Sequence, residues 1–292
     1  MSDKKENIIS DSGANATEKF IDIDEIIRSK NPRLAKFLPR FIVNYIKRII
    51  CQDFINDFID RNKTKVGLDF VEAIVQEFTK EVKVIGRENI PAEGRGIIVS
   101  NHPLGGLDGI ALLHEAGKVR KEIVFPVNDI LMNLKNLAPL FIPINKHGSN
   151  SENIRIIEDT FASDKMMVYF PAGLVSRKQK GVIKDLDWKK TVIAKARKHK
   201  RDIIPALIDG QNSSFFYNFA NFRKKSGIKQ NIEMIYLPGE MMKQKIKSVN
   251  IIFGKPVPWT LFDKRFNDTE WASKLKDYVY SLRENPTSQF PY

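Results

Sequence analysis

The chain reads as an α/β protein, a layered sheet flanked by helices and preceded by a basic, amphipathic helical region. Three observations predict this. From residue 82 onward, short apolar runs alternate with longer amphipathic stretches. Ahead of them, apolar residues recur at helical spacing among cations. The hydrophobic fraction of 42% and charged fraction of 28% over 292 residues suit a chain that buries a sizeable core.

Residues 1–17, rich in Ser, Asn, Asp and Lys, read as a disordered tail. Residues 18–80 read as an N-terminal helical region that could contact a membrane, and 81–292 as the main domain. In the first of these, Leu34, Leu38, Phe41, Ile42, Tyr45, Ile46, Ile49 and Ile50 form an apolar stripe, with Arg40, Asn44, Lys47 and Arg48 opposite. Such a helix either lies in a lipid interface or packs its apolar face on the protein. Strands are expected at 82–85, 96–100, 123–127, 140–145, 166–170, 203–208 and 249–253. Helices are expected at 68–79, 108–116, 129–136, 152–162, 189–198, 240–246 and 269–283, with Asp187 capping the one that carries Trp188 and Lys189.

Forty-eight Lys and Arg against 35 Asp and Glu leave a net charge of +13. That excess attracts polyanions: nucleic acid, an anionic membrane surface or an acidic carrier protein. The chain shows no recognition-helix pattern, zinc spacing or RNA-type stacking motif, and its cations are spread along its length, so no specific nucleic-acid partner is expected. One cysteine, Cys51, excludes an internal disulfide and points to a cytoplasmic protein with a packed thiol. The polar N-terminus lacks a secretory signal, and no run approaches the ~20 apolar residues that span a bilayer. Any membrane contact is therefore expected to be peripheral, on the inner face.

The stretch Ser100-Asn101-His102-Pro103-Leu104-Gly105-Gly106-Leu107-Asp108-Gly109 joins a strand to a helix through a Pro/Gly turn. A carboxylate brought onto one imidazole nitrogen fixes the tautomer and leaves the other nitrogen free to take a proton, as a general base does. The bland alternative is a structural histidine with Asp108 as a helix cap. Three further stretches follow in order: 140–146, a strand ending in Lys146; Phe170-Pro171-Ala172-Gly173-Leu174-Val175-Ser176-Arg177-Lys178, a strand ending in a Pro/Gly turn; and the apolar strand with Pro205.

Together these resemble the four sequence blocks of the lysophospholipid (glycerolipid) acyltransferase family, over roughly residues 82–210. The resemblance implies a layered mixed sheet flanked by helices. It implies transfer of an acyl group from acyl-CoA or acyl carrier protein to a lipid hydroxyl, in membrane lipid biosynthesis. His102 would be the base and Asp108 its orienter, with no cofactor, metal or covalent acyl-enzyme. Asn101, Gly105, Gly106, Lys146, Phe170, Pro171, Gly173, Ser176 and Arg177 would line the substrate.

The blocks also depart from the family. Five residues separate His102 from Asp108 where four are usual, a bulge for the two glycines to absorb. The usual Phe-Pro-Glu-Gly-Thr-Arg-Ser here has Ala172, Leu174 and Val175 in place of its glutamate, threonine and arginine, with Arg177 and Lys178 as substitute cations. Lys146 stands where an arginine is frequent, and a lysine is a point charge rather than a fork. These changes weigh against an acceptor held by its phosphate. The variant blocks resemble a bacterial hemolysin-like acyltransferase subgroup associated with lyso-aminolipids as well as glycerolipids, so 1-acylglycerol-3-phosphate and a lyso-aminolipid both stand as acceptors. The competing class is an inactive protein that binds lipid or nucleic acid through its basic surface.

Of the other histidines, His114 reads as a surface or packing residue, His147 as a residue of the turn after the second block with acceptor contact as the lesser alternative, and His199 as the solvated end of a basic helix. Lys178, Lys180 and Lys184 fit a basic loop or a phosphate site. Phe215, Phe216, Tyr217, Phe219 and Phe222, beside Arg223, Lys224 and Lys225, fit either a core helix with a basic end or a second membrane-contacting element.

Overall fold

The computed structural model describes residues 19–128, 131–144 and 151–292. The chain divides into two compact units, Met1–Arg61 and Asn62–Tyr292. The first holds α1 (Ile23–Lys30), α2 (Pro32–Phe37), α3 (Arg40–Ile49) and α4 (Gln52–Arg61). Asp22 caps α1 by accepting from the Asp24 and Glu25 N–H groups. Ile23, Val43 and Ile50 make a small core, joined by Leu38, Ile46 and Ile49. Asp24 ties α1 to α3 through Arg40, at 2.9 Å, and Lys47. The expected apolar stripe is divided by this packing. Ile46, Ile49 and Ile50 face inward with Val43, which the stripe did not include, whereas Phe41 and Tyr45, like the neighbouring Phe37, are exposed beside Arg40 and Arg48.

The second unit begins with α5 (Leu68–Phe78), which the sequence grouped with the N-terminal region. Its buried Phe70, Val71, Ile74 and Phe78 place it in the main unit, against the helix that follows the first core strand. Then come β1 (Glu81–Ile85), β2 (Gly96–Ser100), α6 (Gly106–Gly117), β3 (Ile123–Val127), β4 (Phe141–Pro143), α7 (Ser151–Ala162) and β5 (Met166–Tyr169). The hairpin β6 (Arg177–Gln179) and β7 (Val182–Lys184), α8 (Thr191–Lys198), β8 (Asp202–Asp209), α9 (Ser214–Lys225), α10 (Leu237–Met242), β9 (Ser248–Phe253) and α11 (Asp268–Ser281) complete it.

Seven strands form one mixed sheet in the order β1-β9-β8-β2-β5-β3-β4, every pair parallel except β8–β9. β2 is buried at every position, which is why Gly-Ile-Ile-Val-Ser reads as a continuous run instead of alternating. Ile97, Val99, Met167, Ile203 and Leu207 pack on one face with Ile193 of α8 and Trp271 and Leu275 of α11. α5 and α6 pack on each other and against β1, β3 and β5. Since β2 runs parallel to both β5 and β8, the loops leaving their C-terminal ends share one edge, where open α/β sheets hold their ligands.

Some elements differ from expectation. Where a helix is expected at 129–136, the residues from Leu131 onward form two short 3₁₀ turns, Leu131–Asn133 and Lys135–Leu140, the second containing Pro139; 129 and 130 lie outside the described residues. α10 overlaps the helix expected at 240–246 only as far as Met242, and α8 starts at Thr191, leaving Asp187 exposed and capping nothing. Among the described residues, no helix is long and apolar enough to cross a membrane.

Candidate active site

β2 delivers Ser100 and Asn101 to the sheet edge, and Asn101 locks the exit. Its amide donates to the Ile208 carbonyl at 2.9 Å and accepts from the Ile208 N–H at 2.8 Å, continuing the sheet where the backbone leaves it. Asn101 is thus a strut to β8, buried away from solvent. The chain then turns through Pro103, Leu104 and Gly105 into α6. Gly105 has φ +91°, a region that favours glycine, and a Cβ there would sit 3.1 Å from Leu237. Gly106 needs no such freedom: it is the first helical residue, and a Cβ would meet nothing. Of the two glycines, only Gly105 takes a backbone conformation that favours glycine.

The turn brings the pair together. Asp108, fully buried in the first turn of α6, accepts through one oxygen, Oδ2, from the Leu104 N–H (2.8 Å), the Gly105 N–H (3.0 Å) and His102 Nδ1 (2.9 Å). Its other oxygen, Oδ1, has no partner among the described residues. Burial pushes the Asp108 carboxyl above the usual carboxylate range; the His102 ring and the two N–H groups oppose it. The helix N-terminus adds a favourable field for the carboxylate. With Nδ1–H donating to Asp108, the His102 lone pair lies on Nε2, on the side-chain edge that remains partly exposed.

The third block builds the wall beside it. Phe170, following β5, stacks on the His102 ring with centroids 4.2 Å apart and planes 18° from parallel. Phe125 closes on Phe170 edge-on at 5.5 Å. Pro171 is buried and its carbonyl accepts from the Lys189 N–H; Gly173, at φ +66°, closes a turn by donating to the Phe170 carbonyl. That N–H is therefore spent within the turn. The Ser176 N–H donates to the His102 carbonyl at 2.8 Å, fastening the third block to the first.

Two expected substrate contacts are turned inward instead. Ser176 Oγ donates to Asp185 Oδ1 at 2.6 Å. Arg177, the expected substitute cation, is buried against Glu233 (2.8 Å) and donates to the Val175 carbonyl (2.9 Å), while Arg223 binds Glu233 from the other side at 2.9 Å. A guanidinium in that environment is held by its carboxylate and cannot also reach a ligand. Lys146 and His147 lie outside the described residues.

A buried carboxylate that the sequence reading did not single out organises the floor. Asp185 accepts from the His102 N–H (3.2 Å), Ser176 Oγ and Trp188 Nε1 (2.8 Å), and its own N–H donates to the Tyr280 hydroxyl (2.9 Å). The only sequence signal was an acidic residue between the hairpin and Trp188. On the far side, Asn212 Nδ2 donates to the Pro103 carbonyl at 3.1 Å. His114 pairs with Glu72 at 2.7 Å. His199, expected in solvent, is largely covered, stacked on Phe161 and 3.1 Å from Glu158.

Fold and site together define an α/β protein with a carboxylate-oriented histidine at the sheet edge. The chain matches the acyltransferase family over residues 25–285. It is 49% identical over 269 residues to the lyso-glycine lipid O-acyltransferase of Bacteroides thetaiotaomicron, covering 90% of this chain and 97% of that one. It is 48% identical over 265 residues to the lyso-glycine lipid O-acyltransferase of Phocaeicola vulgatus, covering 90% and 95%. The crystal structure of the 1-acyl-sn-glycerophosphate (LPA) acyltransferase PlsC from Thermotoga maritima aligns over 91% of this chain and 95% of that one, at 18% identity and a TM-score of 0.47, too distant to bear on the site. The chain belongs to the acyltransferase family, and it is an acyltransferase.

Proposed function

We propose that this chain moves a fatty acyl group from acyl carrier protein or CoA to the hydroxyl of a lysolipid, a lyso-glycine lipid first among the acceptors, at the inner face of the membrane. The observation that carries the chemistry is the His102–Asp108 pair, with Nδ1 held at 2.9 Å and Nε2 open. A lipid hydroxyl is too weakly acidic to attack a thioester readily at neutral pH, so a base must take its proton as it attacks. In the scheme, the hydroxyl oxygen forms the new C–O bond and His102 Nε2 takes its proton. The C–S bond then breaks, and the imidazolium returns the proton to the departing thiolate. The first N–H groups of α6, beginning at exposed Gly106, point out of the helix and are the oxyanion donors of this scheme.

The acceptor reading draws on the relatives and on the cations present. Val175 is wholly buried and Arg177 is committed to Glu233, so the third block offers no guanidinium fork to a phosphate. A glycine headgroup carries one carboxylate, which a lysine can pair. Lys189 reaches over the third block, its Nζ 3.2 Å from where a Gly173 Cβ would stand, with no ion-pair partner among the described residues.

The test offers labelled acyl carrier protein and acyl-CoA to the purified protein with lyso-glycine lipid, lyso-ornithine lipid, lysophosphatidic acid or glycerol phosphate. Transfer to the lyso-glycine lipid is expected, falling ~10²- to 10⁴-fold in His102→Ala with vesicle binding unchanged. Near-normal turnover by His102→Ala would remove the base assignment. Transfer confined to lysophosphatidic acid would overturn the acceptor.

A further inference from the structure

α9 carries two faces of opposite character. Its inward face, Phe216, Tyr217, Ala220 and Arg223, is buried. Its outward face repeats at the same helical spacing with Phe215, Phe219 and Phe222, and Phe215 and Phe222 are 50% and 65% exposed. The Phe215 and Phe219 rings stack 5.8 Å apart, and Tyr236 meets both edge-on, at 5.0 and 5.5 Å. The 3₁₀ turn Ile232–Tyr236 extends the surface with exposed Ile232 and Ile235. Bare aromatic and branched side chains gathered this way mark a surface meant to be covered.

The charge around them says by what. Lys224, Lys225 and Lys229 stand exposed at the end of α9 with no ion-pair partner among the described residues. The acids in residues 211–247 are Glu233 and Glu240, and both are buried and bonded, Glu233 to two arginines, Glu240 to Ser213 and Lys243. An apolar centre with an unopposed cationic rim complements anionic headgroups over acyl chains. The surface also adjoins the site: Leu237, next to Tyr236, closes over Gly105 of the catalytic turn.

We propose that Phe215, Phe219, Phe222, Ile232 and Ile235 insert into the surface of an anionic bilayer, with Lys224, Lys225 and Lys229 on its headgroups, so that a lysolipid leaves the bilayer beside the His102 turn. The inference rests on the reading that the acceptor is a bilayer lipid. It gives α9 a role separate from the exposed aromatics of the N-terminal unit.

The full-length protein and Phe215→Ser/Phe222→Ser and Lys224→Glu/Lys225→Glu variants would be floated with vesicles of pure phosphatidylcholine or of phosphatidylcholine with phosphatidylglycerol. Thermal melting serves as the fold control, and since the altered residues are exposed, Tm should hold. Each variant should lose about tenfold or more in partition onto the anionic vesicles. Each should lose turnover of vesicle-borne acceptor while keeping it with a short-chain, monomeric acceptor. The flotation needs no substrate, so it answers for the surface even if acyl transfer to the offered lysolipid fails. Unchanged flotation of both variants would overturn the proposal. So would a raised KM for acyl carrier protein with vesicle binding intact, which would make the surface a carrier-docking site.

Discussion

Asp108 concentrates three hydrogen bonds on one buried oxygen, and the other has no partner among the described residues. Function and stability pull against each other at such a residue. Because burial raises the folded carboxyl above its unfolded value of 3.8, the ionised form costs the fold stability at neutral pH, and that cost fades as pH falls. Asp108→Asn keeps an oxygen for the Leu104 and Gly105 N–H groups but removes the charge that, in the proposed scheme, steadies an imidazolium. Turnover should fall ~10²- to 10⁴-fold while Tm at pH 7 holds or rises, as calorimetry beside the acyl-transfer assay would show. A fall in both would make Asp108 chiefly structural. The His102–Asp108 contact was legible in the sequence because a turn forces neighbours in the chain to be neighbours in space. Asp185 was not, since its partners His102 and Tyr280 are far away along the chain. Ser176 and Arg177 were read as substrate contacts because a motif marks where a residue sits, whereas hydrogen bonds with distant elements decide which way its side chain turns.

Among the elements, the β6–β7 hairpin illustrates how a family motif and its support are separate matters. The hairpin leaves the third block directly, and Arg177 at its start is pinned with Arg223 of α9 onto Glu233. Burial lowers the Arg177 pKa, yet the carboxylate keeps the guanidinium charged. Arg223 also donates to the Ile228 carbonyl and Asn231 Oδ1, each at 2.8 Å, so one carboxylate joins the hairpin, α9 and the Ile232–Tyr236 turn. Glu233→Ala leaves two covered guanidiniums without a counter-charge and should cost about 3–5 kcal/mol in denaturant unfolding, with turnover falling as Ser176 and Val175 lose their support. A loss under about 1 kcal/mol would show that solvent reaches the cluster easily. The core strands were legible because covered strands read as unbroken apolar runs. The hairpin was hidden by its short, charged strands, and α9 was ambiguous because aromatics occupy both its faces.

Across the whole molecule, the charge of +13 conceals how unevenly its cations are used. Arg201 looks like part of a basic surface run, but it is wholly buried and donates to the carbonyls of Gly96, Thr160, Phe161, Ser163 and Lys165, tying β2 to the end of α7 and the turn into β5. Composition cannot separate such a staple from a solvated lysine. Glu115 is the acidic counterpart. Buried on α6, it accepts from Arg87 Nε at 2.9 Å and Lys118 Nζ at 2.7 Å, beside His114. Burial alone would raise its pKa, but His114, Lys118 and Arg87 outweigh that and hold it at about 2, against 4.5 when free. The ionised form is therefore the one the fold prefers, and its contribution is complete above about 4.5 and drains away as pH falls toward about 2. Since Arg87 and Lys118 are partly in solvent, screening limits that contribution to about 1–2 kcal/mol. Glu115→Gln should melt below wild type at pH 7, and the two melting curves should converge between pH 4.5 and 2. A gap that stays constant across that interval would mean the substitution acts through packing, and that the acid sensitivity of this fold resides in other carboxylates.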